Sequence, residues 1–249
     1  MAPIRDHGAK PGSGKRPAAE ALAENLRRVR ERIASAAARV GRDPQDTRLV
    51  AVTKTVPTAI IRCLLDLEMA DFGENRIQAA DQKILELGSG PCWHLIGHLQ
   101  GNKARRAAKL FPWIHAVDSA SLFDRLERAS EEQGLRPSVL FQVNVSGEES
   151  KFGVSVEQLG PLLERAARAR ALEPVGLMTM APLSADPEDA RPHFRTLRAL
   201  LEEERATGRQ GPGFRHLSMG MTNDFEVAVE EGATLVRIGT ALYQGLEID

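Results

Sequence analysis

A lysine closes the apolar run from Leu49 to Thr55, LVAVTKT. Side chains along a strand alternate between its faces, so Lys54 points the same way as Val50 and Val52. An ammonium is costly to bury without a partner and loses its proton readily there, so such a lysine is either a charge at a solvent edge or a reactive amine in a pocket. Near the other end, TLVRIGT puts Arg237 in parity with Leu235 and Gly239. A guanidinium facing inward needs an acceptor: an internal carboxylate such as Glu74 is one, and a ligand in the space opened by Gly239 is the other. Between these lies SMGMTND, Ser218 to Asp224, a turn with Thr222 or Asn223 available as a helix N-cap. Its backbone N–H groups, the Ser218 hydroxyl and the Gly239–Thr240 turn suit a phosphate, with ordinary turn chemistry as the alternative. His94 and His98 in WHLIGHLQ have the spacing of paired metal ligands on a helix, but the segment reads as a strand running into a glycine turn and suggests no third ligand. No metal is expected, and His98 is read as a hydrogen-bonding group at the strand end with His94 deeper. Met178, Met180, Met219 and Met221 cluster near two strand ends, as filler or as a soft lining for a flat ring. Lys103 and Lys151 compete with Lys54 but read as solvated charges.

The elements that must position these groups alternate along the chain. RLVAVTK, ADFGEN, WHLIG, IHAVDS, SVLFQVNV, EPVGLMTM, RHLSMG and TLVRIG read as eight strands. Helical spacing fills 57 to 69, 75 to 87, 101 to 109, 119 to 132, 155 to 170, 188 to 207 and 223 to 231, after an amphipathic helix from about Ala18 to Val40. Strands alternating with helices imply parallel pairing through crossovers. Eight units close into an α/β barrel of the (β/α)₈ TIM type with one extra N-terminal helix; a doubly wound open sheet is the alternative. In such a barrel the site lies at the carboxyl ends of the strands, where Lys54, Asn75, His98, Met178, Ser218 and Arg237 all fall.

The totals exclude several classes. With 33 basic and 34 acidic side chains the formal charge is −1, which points away from nucleic acid and membrane surfaces. Cys63 and Cys92 lack paired spacing, which argues against a disulfide framework or a zinc site. No apolar stretch approaches a membrane span and the N-terminus lacks the apolar segment of a secretory signal, so a cytoplasmic location is expected. Residues 1–17, rich in Gly, Pro and basic side chains, read as a disordered lead, and 18–249 as one domain.

Taken together, TKT at Lys54, DFGENR at Asp71 to Arg76, WHLIGHLQGNK at Trp93 to Lys103, KFG at Lys151, GLMTM at Gly176, SMGMTNDFEVAV at Ser218 and RIGTALY at Arg237 resemble the pyridoxal phosphate homeostasis proteins, the YggS/PROSC-type family. The resemblance runs from about residue 18 to 245. It implies a barrel like the N-terminal domain of bacterial alanine racemase, with pyridoxal 5′-phosphate as an aldimine on Lys54. By the same match Ser218, Gly239 and Thr240 hold the phosphate and Arg237 faces the pyridine nitrogen, while Asn75 and His98 lie near the ring, with Met178 and Met219 in the same binding set. Thr222 stands where serine is commoner in the family and Tyr243 where phenylalanine is common. The implied role is vitamin B6 and amino-acid homeostasis by storage and delivery of the cofactor. The implied partners are free amino acids and, transiently, pyridoxal-phosphate-dependent apoenzymes, and the chain is expected to be a monomer rather than a stable oligomer. An arginine at the ring nitrogen leaves the cofactor a poor electron sink, and Tyr243 is the only tyrosine in a chain that ends soon after the eighth unit, so no second acid/base is expected. The rival readings are a weak racemase or Schiff-base aldolase, and an interaction protein that keeps the barrel without the cofactor.

Overall fold

The computed structural model describes residues 18–88, 90–148 and 151–246. Among the described residues helix α1 (Ala18–Arg39) precedes eight strands alternating with seven helices: β1 (Arg48–Val52), α2 (Thr58–Asp66), β2 (Asp71–Glu74), α3 (Ile77–Leu87), β3 (Cys92–Leu95), α4 (Ala104–Leu110), β4 (Trp113–Val117), α5 (Ala120–Glu131), β5 (Ser138–Gln142), α6 (Val156–Ala166), β6 (Glu173–Met178), α7 (Arg191–Thr207), β7 (His216–Ser218), α8 (Phe225–Glu230) and β8 (Leu235–Ile238). Every pairing is parallel and β8 closes on β1, with Val50 opposite Arg237. The closed barrel displaces the open-sheet alternative. The expected N-terminal lead, 1–17, lies outside the described residues.

Parity decides where the residues of β1, β5 and β8 go, and a register shift between Pro174 and Gly176 resets it within β6, so that Val175 and Met178 both face inward. Val50, Leu140, Val175, Met178 and Leu235 fill the inside of the barrel, whereas the intervening Leu49, Ala51, Leu177, Val236 and Ile238 face the helical layer. Helix α1 buries Leu22, Leu26, Val29 and Ile33 against that layer. Asn25 on its inner face donates to the carbonyls of Leu242 and Gln244, which ties the helix to the chain just after β8. The extra helix therefore braces the segment that carries Gly239 and Thr240.

The amino-terminal half of the interior is unusual in being aromatic and polar. His94 stacks on Trp113 with ring centroids 5.5 Å apart, and Trp113 meets His216 edge-on at 5.3 Å. Burial pushes the His94 and His115 imidazoles below their usual range, and it pushes His216, near the Arg215 and Arg48 charges, down to about 4. These rings are neutral in the fold but take up protons once the chain unfolds. Stability is therefore complete above the free imidazole value and declines as the pH drops through it, by up to about 1.4 kcal/mol per pH unit for each ring that stays neutral. Urea midpoints should fall between pH 6.5 and 5, before most carboxylates titrate. A flat profile across that window would contradict neutral interior histidines.

Candidate functional site

A cavity of about 500 Å³ opens at the carboxyl ends of the strands, within the size range of small-molecule sites. Lys54 enters it from the loop after β1, Met221 to Asp224 from the loop after β7, Arg237 from β8, and Gly239, Thr240 and Tyr243 from the segment that follows. Lys54 is the one lysine among its lining residues and is exposed to solvent there. Strand β1 ends at Val52, two residues short of the lysine, and Val52 lines the cavity too. Lys54 thus shares the cavity with Val52 although it stands in the turn beyond the strand rather than on it.

Arg237 is 3% exposed. Its NH1 donates to Ser218 Oγ at 2.5 Å and its NH2 to the Thr179 carbonyl at 2.9 Å. The internal ion pair considered with Glu74 does not form. Glu74 faces outward, where it accepts from Thr53 Oγ1 at 2.6 Å and Lys83 Nζ at 2.8 Å. The carboxylate that acts on Arg237 is Asp224. Burial pushes the guanidinium down to about 10, so it remains charged at neutral pH. Burial likewise pushes the Asp224 carboxyl up, against the Met221 N–H it accepts at 2.6 Å.

Loop geometry in this cavity follows from single residues. Gly220 has φ +91°, and a Cβ there would fall 2.5 Å from Ala228 Cβ, so glycine lets the turn after β7 lie against α8. Neither Thr222 nor Asn223 caps α8: the N-cap position is Asp224, whose side chain reaches back to Met221 instead. Among the described residues, the N–H groups of Thr222, Asn223 and Thr240 take no protein acceptor. They are donors available to an anion.

The structure separates the remaining expected residues. Gly239 and Thr240 share the cavity with Lys54 and Arg237. Ser218 does not line it, because its hydroxyl is fully buried between Arg237 and His115. Asn75 and His98 line a separate space of about 330 Å³ with Gly97 and Lys103. His98 is bound at Nδ1 to Asp118 and stacked on Phe152 at 4.3 Å. Gly97 is required there, since a Cβ would fall 2.5 Å from the Asn75 carbonyl oxygen. Met178 packs inside the barrel and Met219 in the outer layer, while Met221 is the methionine at the cavity. His94 lies deep in the barrel as expected, and Lys151 pairs with Glu148 at 3.4 Å.

Three contributors lay outside the sequence reading: Asp224, His115 and the loop Ala181 to Pro187 that forms one wall. His115 did carry a signal, since it shares parity with Trp113, which packs against the inner cluster. The Pro- and Ser-rich loop reads only as a turn. At the opposite end of the barrel, Asp71, Cys92 and His94 bring ligand-type atoms within 4.8 Å of one another. His94 Nε2 is already spent on Asp71 at 2.8 Å, and the Arg48 guanidinium stands 3.5 Å from that carboxylate. Cys63 and Cys92 are both free thiols.

A single lysine, a buried arginine and a glycine turn at the mouth of one parallel barrel define a class. Residues 19–247 match the family described as alanine racemase, N-terminal domain. The chain is 41% identical over 88% of its length to the pyridoxal phosphate homeostasis protein of Aquifex aeolicus, covering 96% of it. It is 42% identical over 89% of its length to that of Pseudomonas aeruginosa, covering 94%. The chain belongs to the pyridoxal phosphate homeostasis protein family. PipY of Synechococcus elongatus, solved with pyridoxal phosphate bound, superposes with a TM-score of 0.78 at 35% identity, over 89% of this chain and 99% of that one. Alanine racemase of Corynebacterium glutamicum shares the fold, with a TM-score of 0.71 at 16% identity over 92% of this chain and 64% of the racemase. Among the described residues no helix is long and apolar enough to cross a membrane.

Proposed function

We propose that this chain holds pyridoxal 5′-phosphate on Lys54 and serves intracellular vitamin B6 and amino-acid homeostasis by keeping the cofactor available, without robust turnover. The observation that carries the reading is one cavity containing a single lysine, a buried guanidinium and unpaired backbone donors. Those groups match the aldehyde, the pyridine nitrogen and the phosphate of the cofactor, which when bound supplies a carbonyl that condenses with amines and withdraws electrons from what it carries. Lys54 supplies the amine. Arg237, pinned by Ser218 and Thr179, donates toward the ring nitrogen without surrendering its proton. Thr240, Thr222 and Asn223 offer N–H groups to the phosphate, each bond contributing on the order of 1.5 to 3 kcal/mol.

Turnover would need a further acid/base group across from Lys54. Tyr243 lines the cavity, but its hydroxyl is buried without a hydrogen-bond partner, and burial pushes it above the ordinary tyrosine range. At neutral pH that is a poor proton carrier. The groups present favour exchange of the cofactor with free amines, including those of amino acids and of recipient apoenzymes, over racemisation. Visible absorption before and after borohydride tests the reading. Loss of the visible band on reduction supports it, and a protein with no band after incubation with pyridoxal phosphate refutes it. Transfer to a recipient is read by activation of a pyridoxal-phosphate-dependent apoenzyme mixed with the loaded protein.

The phosphate assignment has its own test. Thr240→Asp places a like charge where the phosphate would sit, so affinity for pyridoxal phosphate should fall by about 10-fold or more while unphosphorylated pyridoxal is little affected. Equal losses for the two ligands would move the phosphate elsewhere.

A further inference from the structure

Arg237 is the last member of a hydrogen-bonded column that runs through the barrel to its opposite face. Its NH1 donates to Ser218 Oγ at 2.5 Å, and Ser218 Oγ lies 2.8 Å from His115 Nδ1. His115 Nε2 lies 2.9 Å from His94 Nδ1, and His94 Nε2 lies 2.8 Å from Asp71 Oδ1. The three middle members are fully buried, and Asp71 reaches partial exposure at the first position of β2. They come from β8, β7, β4, β3 and β2, so only the closed barrel aligns them.

We propose that Asp71, His94, His115 and Ser218 form a positioning relay for Arg237, through which the amino-terminal face of the barrel sets the hydrogen bond presented to the ring nitrogen of the ligand in the cavity. The inference rests on the reading that this ligand is pyridoxal phosphate. The direction of the column follows from its ends, because a guanidinium only donates and a carboxylate only accepts. Burial disfavours the charged form of both imidazoles. With both neutral there is one consistent assignment: Ser218 O–H donates to His115 Nδ1, His115 Nε2–H to His94 Nδ1, and His94 Nε2–H to Asp71. Every donor points away from Arg237, so each bond polarises the next, and the Ser218 lone pair is held toward the guanidinium. Ser218 Oγ is the one side-chain acceptor of Arg237 among the described residues. The charged and titratable groups beside the column are Arg48 and the Cys92 thiol at the Asp71 end, His216 near its middle and Asp224 beside Arg237.

An interior column could also be filler, yet Val50, Leu140 and Val175 fill the adjoining level with apolar side chains, a choice that carries no desolvation cost. The two roles differ at a distance. A filler at Asp71 affects stability alone, whereas a relay carries its loss to the ligand. Two measurements decide. In the ligand-free protein, the ¹⁵N shifts of His94 and His115 should report two neutral rings protonated at Nε2, with the His94 preference lost in Asp71→Leu. In protein loaded with pyridoxal phosphate, Asp71→Leu and His115→Phe should shift the visible band and weaken retention by roughly 3- to 10-fold, equally for pyridoxal phosphate and pyridoxal. Asp71→Asn keeps an acceptor for His94 and should restore most of both signals. Nitrogen shifts of mixed or protonated rings overturn the relay whatever the protein binds. So do folded Asp71→Leu and His115→Phe proteins with the wild-type band and affinity. A wild-type protein that takes up no pyridoxal phosphate while its histidines show the expected tautomers overturns the cofactor reading, and with it the role given to the column.

Discussion

Replacing Lys54 by alanine should remove every borohydride-reducible adduct with pyridoxal phosphate and leave the barrel as stable as before. The side chain is exposed in the cavity and takes part in no ion pair or side-chain hydrogen bond among the described residues, so its loss should change stability by no more than about 0.5 kcal/mol. The chemical effect is complete, because among the described residues no other lysine lines that cavity. Lys103 belongs to the separate space beside Asn75, and Lys151 is paired with Glu148. The variant should still bind pyridoxal phosphate reversibly through Arg237 and the backbone donors, which dialysis would remove. Peptide mass mapping after reduction of the wild type gives the direct check. Modified Lys103 or Lys151 with Lys54 untouched would sink the assignment.

The second large effect is expected at Arg237. Arg237→Glu puts a carboxylate where the guanidinium meets Ser218 and the Thr179 carbonyl, in the field of Asp224. Glu74, being outside the barrel with Lys83, takes no part. An unpaired carboxylate buried beside another should cost roughly 3 to 5 kcal/mol at neutral pH. Burial raises the folded-state pKa of the introduced carboxyl above its unfolded value. Its protonated form is therefore tolerated at low pH, and the penalty grows as the pH rises through that folded value. Denaturant midpoints from pH 5 to pH 8 should thus diverge progressively from the wild type. Folding must be verified before the chemistry is read. In the folded fraction, a carboxylate facing the ring nitrogen favours its protonation, so the visible band should shift and slow α-proton exchange of added amino acids in deuterated solvent should rise. An unchanged band would mean that position 237 does not face the ring. Rapid wild-type alanine racemisation that disappears in Lys54→Ala would make the protein an enzyme rather than a carrier.

Much of this architecture is local and therefore legible in the sequence. The alternation of strand and helix patterns fixes parallel pairing, eight units fit a closed barrel, and the parity of Val50, Lys54, Leu235 and Arg237 orients the two decisive side chains without knowledge of their partners. Met219, expected in the binding set, packs instead in the outer layer, because it adjoins the inward-facing Ser218 and so takes the opposite face of β7. What parity cannot supply is the neighbour. It names a face, but the depth within the barrel and the partner across it depend on stagger between strands remote in the chain. Ser218 therefore meets His115, 103 residues away, and not the cavity it was expected to line. Asn75 and His98 lie beyond the ends of β2 at Glu74 and β3 at Leu95, and the barrel mouth is wide enough to hold separate spaces, so that β2 and β3 open onto a different one from β8 and β1. The continuous column from Asp71 to Arg237 exists only because five strands were brought to one interior, where buried polar groups must satisfy one another.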